Sequence, residues 1–336
     1  MEKTPAKVFS HIAPMIGNTP MLEILFRYRG DERRVFAKAE YYNLTGSIKD
    51  RVALHILRKA YEDGSISPGD VIAEATSGNT GIAFSALGSY LGHRVVIYMP
   101  DWMSEERINL MRSFGAEVVL VSKEQGGFLG SIRMTEELSA KGGVFLPCQF
   151  SNEENVVTHY LTTGKEIAAA LEALGLNADG VVAGVGTGGT VMGIGRRLRE
   201  NNPSCKVFPL EPLNSPTLST GYKVGKHRIY GISDEFIPSI VKLPELDDIV
   251  SVDDGDAIIM SRMFSEQLGI GVGVSSGANF LGSVMAQNMM GKDSVVTTVF
   301  ADDNKKYLST DYSVRQEPKD GYLTNDIELL DVIAHR

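Results

Sequence analysis

The sequence predicts an α/β protein with two doubly wound parallel-sheet domains. Its 336 residues are enough for two lobes, each with its own core. Short apolar runs alternate with helical patterns through both halves of the chain. Such alternation is typical of parallel sheets that are covered by helices on both faces, with ligands bound beyond the carboxyl ends of the strands.

The elements follow in order from these patterns. Runs of a few apolar residues predict buried strands, and apolar residues at spacings of three and four predict helices. In the first half we expect helices at 48–62, 79–91, 104–114 and 128–140, and strands at 71–73, 94–99, 117–121 and 143–146. In the second half we expect helices at 163–173 and 188–200, and strands at 180–183 and 206–210.

The end of the chain predicts a loop and a helix. Residues 311–326 are polar and loop-like. In the final segment IELLDVIAHR, one helical face would carry the apolar side chains of Ile327, Leu330, Val332 and Ile333. We expect a C-terminal helix that docks on its own lobe or on a dimer partner.

Composition excludes several kinds of partner. The net charge of -9 argues against nucleic acid or an anionic membrane as the main partner. No apolar run approaches the ~18 residues of a membrane span, and the first residues lack the apolar core of a signal peptide. Cys148 and Cys205 lack metal-ligand spacing and the histidines are scattered, so we expect reduced thiols, a cytoplasmic protein and no metal.

Lys49 is the first candidate for chemistry. It lies at the start of a predicted helix, with TGS before it and DR after it. A lysine in isolation is most often a solvated surface residue. A lysine that is held at a helix start and partly desolvated can act as a nucleophile and a base, and the flanking pattern favours this second interpretation.

Three polar segments complete the set. Thr76-Ser77-Gly78-Asn79-Thr80 follows a strand and opens a helix, where free N–H groups and hydroxyls can bind a carboxylate. The segment Gly186-Thr187-Gly188-Gly189-Thr190 has the same placement, and its backbone can close around a phosphate. Ser275, in GVSSG, could equally be a helix cap. Together with Lys49 these segments supply what pyridoxal 5'-phosphate (PLP) needs: an amine, a partner for the ring hydroxyl, a phosphate loop and a partner for the ring nitrogen.

Nine segments of the chain form an ordered set: GNTPM (17–21), KAEYYNLTGSIKDR (38–51), EATSGNTGIA (74–83), MPDWMSEERINLMRSFGAEVVL (99–120), QFSNEENVVTHYLTTGKEI (149–167), AGVGTGGTVMGIGR (183–196), LEPLNSPTLS (210–219), HRIYGISDEFIP (227–238) and GVGVSSGA (271–278). In this set the chain resembles the cysteine synthase/cystathionine β-synthase family of fold-type II PLP enzymes. The resemblance runs from about residue 15 to residue 312 and leaves only the tail outside.

The resemblance implies a role for each site residue. Lys49 would form the internal aldimine, Asn79 would bond the ring hydroxyl, and Ser275 would meet the ring nitrogen. The loop from Gly186 to Thr190 would hold the phosphate. Gly231 would lie beside the ring. Four residues would bind the substrate carboxylate: Thr76, Ser77, Thr80 and Gln149. A neutral hydroxyl at the ring nitrogen makes the ring a weaker electron sink, which favours β-elimination over transamination.

One segment departs from the family pattern. Cysteine synthases have GIGAGFIP and cystathionine synthases have GIGYDFIP, whereas this chain has Gly231-Ile232-Ser233-Asp234-Glu235-Phe236. The two acids could be a solvated loop without a catalytic role. If Asp234 faces Cβ, an incoming hydrosulfide anion ~5 Å away would be disfavoured by about 3 kcal/mol at an effective dielectric near 20, roughly a hundredfold in rate. The same carboxylate could deprotonate water.

We therefore predict a reaction that consumes L-cysteine: sulfide leaves, water adds, and L-serine and hydrogen sulfide are released. This is the activity of the cysteine (hydroxyl) lyase branch. Glu235 or Asp234 could instead bind the ammonium of an amino-acid thiol, which would give cystathionine or lanthionine. Two more functions stay open at this point, namely cysteine synthase (O-acetylserine sulfhydrylase) and a non-catalytic regulatory subunit.

The domain prediction places a smaller, movable lobe at 42–158. The larger, phosphate-binding lobe would comprise 1–41 and 159–336. Closure on the substrate carboxylate would shield the reaction from stray water. The resemblance also implies a homodimer.

Overall fold

The computed structural model describes residues 5–336 and contains two sheets. The eleven strands are β1 (Met21–Tyr28), β2 (Asp31–Ala39), β3 (Val71–Ala75), β4 (Val95–Pro100), β5 (Glu117–Val121), β6 (Val144–Phe145), β7 (Gly180–Gly184), β8 (Lys206–Pro212), β9 (Val250–Val252), β10 (Val296–Phe300) and β11 (Ile327–His335).

Eleven α-helices accompany these strands within the described residues. They are α1 (Pro5–Ile12), α2 (Lys49–Asp63), α3 (Asn79–Leu91), α4 (Glu105–Ser113), α5 (Gly127–Ser139), α6 (Glu154–Leu161), α7 (Thr163–Ala173), α8 (Gly189–Asn201), α9 (Thr217–Thr220), α10 (Asp254–Leu268) and α11 (Val274–Met290). Each element predicted from the sequence between residues 48 and 210 has a counterpart within a few residues of its predicted bounds.

The smaller sheet is entirely parallel and has the strand order β5-β4-β3-β6. Its core joins α2 and α3 to the sheet through buried side chains such as Ile56, Ile72, Phe84 and Ile97. All four strands lie between residues 71 and 145. The predicted lobe boundaries at 42 and 158 stay a prediction.

The larger sheet is mixed, with the order β11-β1-β2-β10-β7-β8-β9. The strands from β2 to β9 pair in parallel, as predicted, whereas β1 pairs antiparallel with both β2 and β11. Helices α10 and α11 pack on one face, around Phe264, Phe280 and Phe300. The opposite face packs against α7 and α8, around Ile167, Ile194 and Val207.

The predicted C-terminal helix is wrong, because residues 327–335 form the edge strand β11. Along this strand Ile327 and Leu329 are buried while Glu328 and Leu330 are exposed, which is the alternation of a strand. The segment pairs with β1 from Tyr28↔Ile327 to Met21↔His335. A partner strand three hundred residues away in sequence thus outweighs the local helical pattern.

Candidate active site

A cavity of about 830 Å³, its open mouth included, lies between the two sheets. Its walls come from the carboxyl ends of β3, β7 and β10, as the fold class predicts. Most residues that the sequence singled out line it together: Lys49, Thr76, Ser77, Asn79, Thr80, Gln149, Gly186, Thr187, Gly188, Thr190, Gly231, Asp234 and Ser275.

Lys49 is the first residue of α2 and is fixed by the loop before it. The Ile48 amide donates to the Ala301 carbonyl over 2.9 Å, which ties the helix start to the end of β10. The Lys49 amide donates to Ser47 Oγ over 3.3 Å. Burial lowers the pKa of the Lys49 amine below its ordinary value, and the carboxylates of Asp302 and Asp234 oppose that shift. The amine therefore loses its proton more readily than a solvated lysine.

The turn between β3 and α3 presents hydroxyls and amides to the cavity. Thr76 Oγ1 accepts a hydrogen bond from the Gly78 amide over 3.1 Å, and the Ser77 carbonyl accepts one from Arg107 over 3.1 Å. A Cβ on Gly78 would lie 2.7 Å from the Arg107 side chain, so glycine permits this close approach. The turn is thus fixed by a hydrogen bond within it and by a hydrogen bond from α4.

Gln149 lies opposite this turn with both ends of its amide fixed. Thr80 Oγ1 donates to Gln149 Oε1 over 2.6 Å, and Gln149 Nε2 donates to the Ala75 carbonyl over 3.0 Å. One free N–H of the amide remains. Together with the α3 N-terminus, this group forms a set of donors that suits a carboxylate.

The glycine-rich loop links β7 to α8. A Cβ on Gly186 would lie 2.2 Å from the Gly231 carbonyl oxygen, so this position has no room for a side chain. Gly188 has φ +87°, in the left-handed region that favours glycine. Gly189 is the first residue of α8 and faces Asn155 rather than the cavity. The loop brings backbone N–H groups to the positive end of the α8 dipole, where an anion is favoured.

Ser233 explains how Asp234 reaches the cavity. Its φ of +55° is unusual for a residue with a side chain. Its hydroxyl is buried and bonds the Ser215 carbonyl and Thr217 Oγ1, both over 2.9 Å, while its amide donates to the Val185 carbonyl over 2.8 Å. These bonds fix a sharp turn next to the glycine-rich loop.

Asp234 and Glu235 differ in their surroundings. Asp234 is partly buried and lines the cavity, and burial raises the pKa of its carboxyl to about 6. Within residues 5–336 its carboxylate accepts no hydrogen bond, whereas Lys223 and Lys49 stabilise its charge. Glu235 lies outside the cavity wall, and its carboxylate is 3.7 Å from Lys223 Nζ. The predicted substrate contact of Glu235 stays a prediction.

Several buried polar residues around the cavity were not predicted from the sequence. Asn155 joins the two anion-binding segments, because its amide donates to the Gln149 carbonyl and to Thr187 Oγ1, each over 2.9 Å. Behind the loop, burial holds the pKa of His159 well below its ordinary value, so this residue adds no positive charge. Both residues lie in the motif at 149–167, which supports the family resemblance, but the sequence did not indicate their hydrogen-bond partners.

Arg107 and Asp302 were also missed. The Arg107 guanidinium lies 4.6 Å from the Tyr230 ring centre and 4.8 Å from that of Tyr307. Asp302 is buried and accepts a hydrogen bond from Asn79 Nδ2 over 2.7 Å. A cation on α4 and an anion after β10 give no local pattern that would indicate a shared site.

The residues fit PLP. Asn79 lines the cavity, and its side-chain amide has one partner in the described part of the chain, the bond to Asp302. The space beside Gly186 excludes a side chain, and the loop that follows it leads into the N-terminus of α8, where an anion is favoured. Lys49 lies in the same cavity as Ser275, which is buried in the first turn of α11. An amine, an amide, a phosphate loop and a hydroxyl thus converge on one space.

The described residues contain no candidate metal site and no candidate membrane-spanning helix. Between residues 5 and 336, no three His, Cys, Asp or Glu side chains come together so that they could hold a metal ion. No helix in the same range is long and apolar enough to cross a membrane.

Comparisons with known proteins give the family. The model of the family described as "Pyridoxal-phosphate dependent enzyme" matches residues 12–302. A probable cysteine synthase of Bacillus subtilis is 39% identical over 306 residues, which cover 91% of this chain and 98% of the relative. A solved structure of a hydrogen sulfide-producing enzyme from Fusobacterium nucleatum is 60% identical, has a TM-score of 0.95 and covers 98% of this chain and 99% of its own.

A second structure of the Fusobacterium enzyme is that of an aspartate-to-asparagine mutant with an alpha-aminoacrylate intermediate. It has the same 60% identity and TM-score of 0.95, and it covers 97% of this chain and 99% of its own. These similarities confirm the predicted fold class, the family and its PLP cofactor.

Proposed function

We propose a reaction for this chain, which belongs to the pyridoxal-phosphate dependent enzyme family: L-cysteine and water are converted to L-serine and hydrogen sulfide. One thiol leaves Cβ as hydrogen sulfide and one hydroxyl takes its place, so atoms balance without an oxidant or reductant. The observation that carries the proposal is the Asp234 carboxyl in the wall of the cavity that Lys49 also lines. The 60% identity with a hydrogen sulfide-producing enzyme supports it.

Four elements of the chain would hold the cofactor. Lys49 would bind its aldehyde, Asn79 its ring hydroxyl and Ser275 its ring nitrogen, while Gly186 to Thr190 would bind the phosphate. When bound, PLP supplies an aldehyde that takes the substrate amine and a conjugated ring that withdraws electrons from Cα. Because the Ser275 hydroxyl is neutral, the ring would withdraw electrons less strongly, which would favour loss of the Cβ substituent.

The substrate carboxylate would bind at the start of α3. Thr76, Ser77 and Thr80 supply hydroxyls and backbone N–H groups there, and Gln149 supplies an amide whose orientation is fixed by Thr80 and Ala75. Gly231, which lacks a side chain, would leave room for the ring beside it.

Lys49 would act as the base at Cα. Its lowered pKa makes the free amine more available than that of a solvated lysine, and the carboxylates of Asp302 and Asp234 stabilise the ammonium that forms when it accepts the proton. Lys49 would later return this proton to Cα.

Asp234 would act as the base for water. With a pKa of about 6, roughly ten of every eleven carboxyls are ionised at pH 7. A carboxylate without a hydrogen-bonded partner can accept a proton from water as its oxygen attacks Cβ. The same charge would repel a hydrosulfide anion and so favour the direction that consumes cysteine.

Cysteine synthase is the second candidate. The 39% identity with the probable cysteine synthase of Bacillus subtilis favours it. In that reaction hydrosulfide would have to approach Cβ past the Asp234 carboxylate. Synthesis of cystathionine or lanthionine remains a third use of the same chemistry, in which an acid of the segment Asp234-Glu235 would bind the ammonium of an amino-acid thiol.

One experiment tests the proposal directly. The purified PLP-loaded protein is incubated with L-cysteine alone, and sulfide and amino-acid products are quantified. We expect serine and sulfide in equal amounts. Lanthionine as the main product, or turnover only with O-acetylserine and sulfide, would contradict the proposal. A Lys49→Ala variant, which retains the phosphate loop, controls for reactions of free PLP and should give neither product.

The assembly and location follow as further parts of the proposal. We infer a homodimer from the family resemblance, and a cytoplasmic location from the free thiols of Cys148 and Cys205. The smaller lobe would close on the substrate carboxylate and exclude other nucleophiles. Small-angle scattering with and without L-cysteine tests both the dimer and the closure, since a monomeric mass or an unchanged radius would contradict them.

A further inference from the structure

Asp302 is a buried acid that acts on the charge of Lys49 in the proposed mechanism but positions no other residue there. It follows β10 and is 1% exposed. Its Oδ2 accepts hydrogen bonds from Asn79 Nδ2, over 2.7 Å, and from the Tyr307 hydroxyl. Its Oδ1 is buried and has no partner in the described part of the chain. Burial of a carboxylate is costly, so its retention beside the cavity calls for a reason.

The Asp302 backbone joins two segments of the site. It forms an antiparallel bridge with Ser47, two residues before Lys49. Its carbonyl accepts a hydrogen bond from the Gly273 amide over 3.0 Å, two residues before Ser275. A Cβ on Gly273 would lie 2.1 Å from Asp302 Oδ1, so the side chain is enclosed at closest packing. The Asp302 backbone is therefore fixed between the segments that carry Lys49 and Ser275, and its carboxylate bonds Asn79.

The contact with Asn79 determines how that amide faces a ligand. A primary amide has two N–H groups and one acceptor oxygen. Asp302 accepts a hydrogen bond from one N–H of Asn79, a residue that lines the cavity, so the direction of the amide is fixed and a second N–H remains to donate. Without an acceptor at Asp302 the amide could rotate by half a turn and exchange its donor for its oxygen. The predicted partner of Asn79 is a ring hydroxyl that carries negative charge when ionised, and this partner needs a donor.

The contact with Lys49 is electrostatic. Among the groups that act on the Lys49 amine, Asp302 opposes the effect of burial more strongly than Asp234 does. Asp302 in turn faces Lys306 and Arg107, whose positive charges favour its ionised form against burial. Removal of the Asp302 charge would leave Asp234 as the carboxylate that favours the charged form of Lys49. The ammonium form of Lys49 would then be less stable.

We propose that Asp302 is a positioning residue that fixes Asn79 as a hydrogen-bond donor towards PLP and stabilises the protonated form of Lys49. The proposal rests on the proposed function, in which Lys49 and Asn79 hold PLP. It predicts that substitution of Asp302 changes cofactor binding even in the absence of substrate.

The test uses cofactor-free preparations of the full chain. Equilibrium dialysis gives the dissociation constant for PLP, and visible absorbance gives the rate of PLP attachment between pH 6 and pH 10. The variants are Asp302→Ala and Asp302→Asn, with Asp303→Asn as the matched control, because Asp303 is the neighbouring acid and lies outside the cavity wall. Circular dichroism verifies that each variant folds.

Each variant has its own expected result. Asp302→Ala should weaken PLP binding about tenfold, since a hydrogen bond to a charged group is lost. Asp302→Asn retains an acceptor oxygen and should weaken binding less than threefold. Its attachment rate should nevertheless extend to lower pH, because Lys49 loses its proton more easily without the neighbouring charge. Asp303→Asn should match the parent in both measurements.

A double-mutant cycle separates positioning from a general structural effect. In an Asn79→Ala background, Asp302→Ala should change PLP affinity less than threefold, the limit expected for loss of the charge alone, because the positioning effect passes through Asn79. Parental affinity in Asp302→Ala together with an unchanged pH profile in Asp302→Asn would overturn the proposal. If Asp302→Ala does not fold, the pH profile of Asp302→Asn decides. Failure of the parent itself to attach PLP at Lys49 would refute the proposed function instead.

Discussion

Asp234→Asn should nearly abolish serine formation while leaving PLP bound. The Asp234 carboxyl lines the cavity, and its pKa of about 6 keeps it ionised at pH 7. An amide of the same shape cannot take a proton from water. We therefore expect serine formation to fall by about 10²–10⁴-fold, which corresponds to about 3–5 kcal/mol of activation free energy.

The pH dependence gives an independent measurement. Below pH 6 the Asp234 carboxyl of the parent protein becomes protonated, so its serine formation should decline with an apparent pKa of about 6. In Asp234→Asn the remaining activity should lack this decline. Serine and sulfide are measured with L-cysteine as the only substrate, and visible absorbance reports bound PLP.

A surface acid provides the control. Asp248 is exposed and lies outside the cavity wall, so Asp248→Asn should retain the parental rate and pH profile. Serine formation by Asp234→Asn within threefold of the parent, with PLP equally bound, would refute a role for this carboxylate in water addition.

Three further predictions concern cofactor binding and stability. Gly186→Ala should weaken PLP binding by at least about tenfold in dialysis, because the added methyl would lie 2.2 Å from a backbone oxygen; parental affinity would contradict the proposed phosphate loop. Arg51→Met should lower the free energy of unfolding in urea by about 3–5 kcal/mol, since Arg51 bonds the fully buried Glu40 over 2.6 and 2.8 Å. The exposed Arg94 pair should cost less than about 1 kcal/mol when broken, and equal losses would contradict this argument. Burial raises the pKa of Glu74 to about 8 in the folded protein, above its ordinary value of about 4.3 in the unfolded chain, so the folded state binds the extra proton between these values and stability should fall as pH rises from about 4.3 to about 8. Glu74→Gln should remove this slope in urea titrations, and a persistent slope would assign it to another group.

Local sequence patterns were sufficient for the alternating part of the fold. The predicted helices at 79–91 and 163–173 coincide with α3 and α7. Helix α3 ends before Gly92, whose φ of +85° is typical of a helix stop, so both the start and the end had a local signal. The motifs at Lys49, at 76–80 and at 186–190 were equally local, because each lies between a strand and a helix. Their residues therefore meet once the parallel sheets form.

Pairings between distant segments could not be predicted in this way. The turn at Arg29-Gly30, with φ of +53° and +86°, joins β1 to β2 as a two-residue hairpin. This hairpin was not predicted from the sequence. The mixed part of the large sheet follows from this hairpin and from β11. Likewise, the contact of Asp302 with Asn79 joins residues 223 positions apart, and no periodicity indicates such a pair.

The C-terminal edge strand has a consequence for synthesis of the chain. β1 emerges from the ribosome among the first residues and can pair at once with β2, but its other side stays open until residues 327–335 are released. During that interval an unpaired strand edge is available to other nascent chains, and edges of this kind promote aggregation. Truncated chains that end before Ile327 would therefore contain all the catalytic motifs, but one edge of β1 would stay unpaired and would promote aggregation.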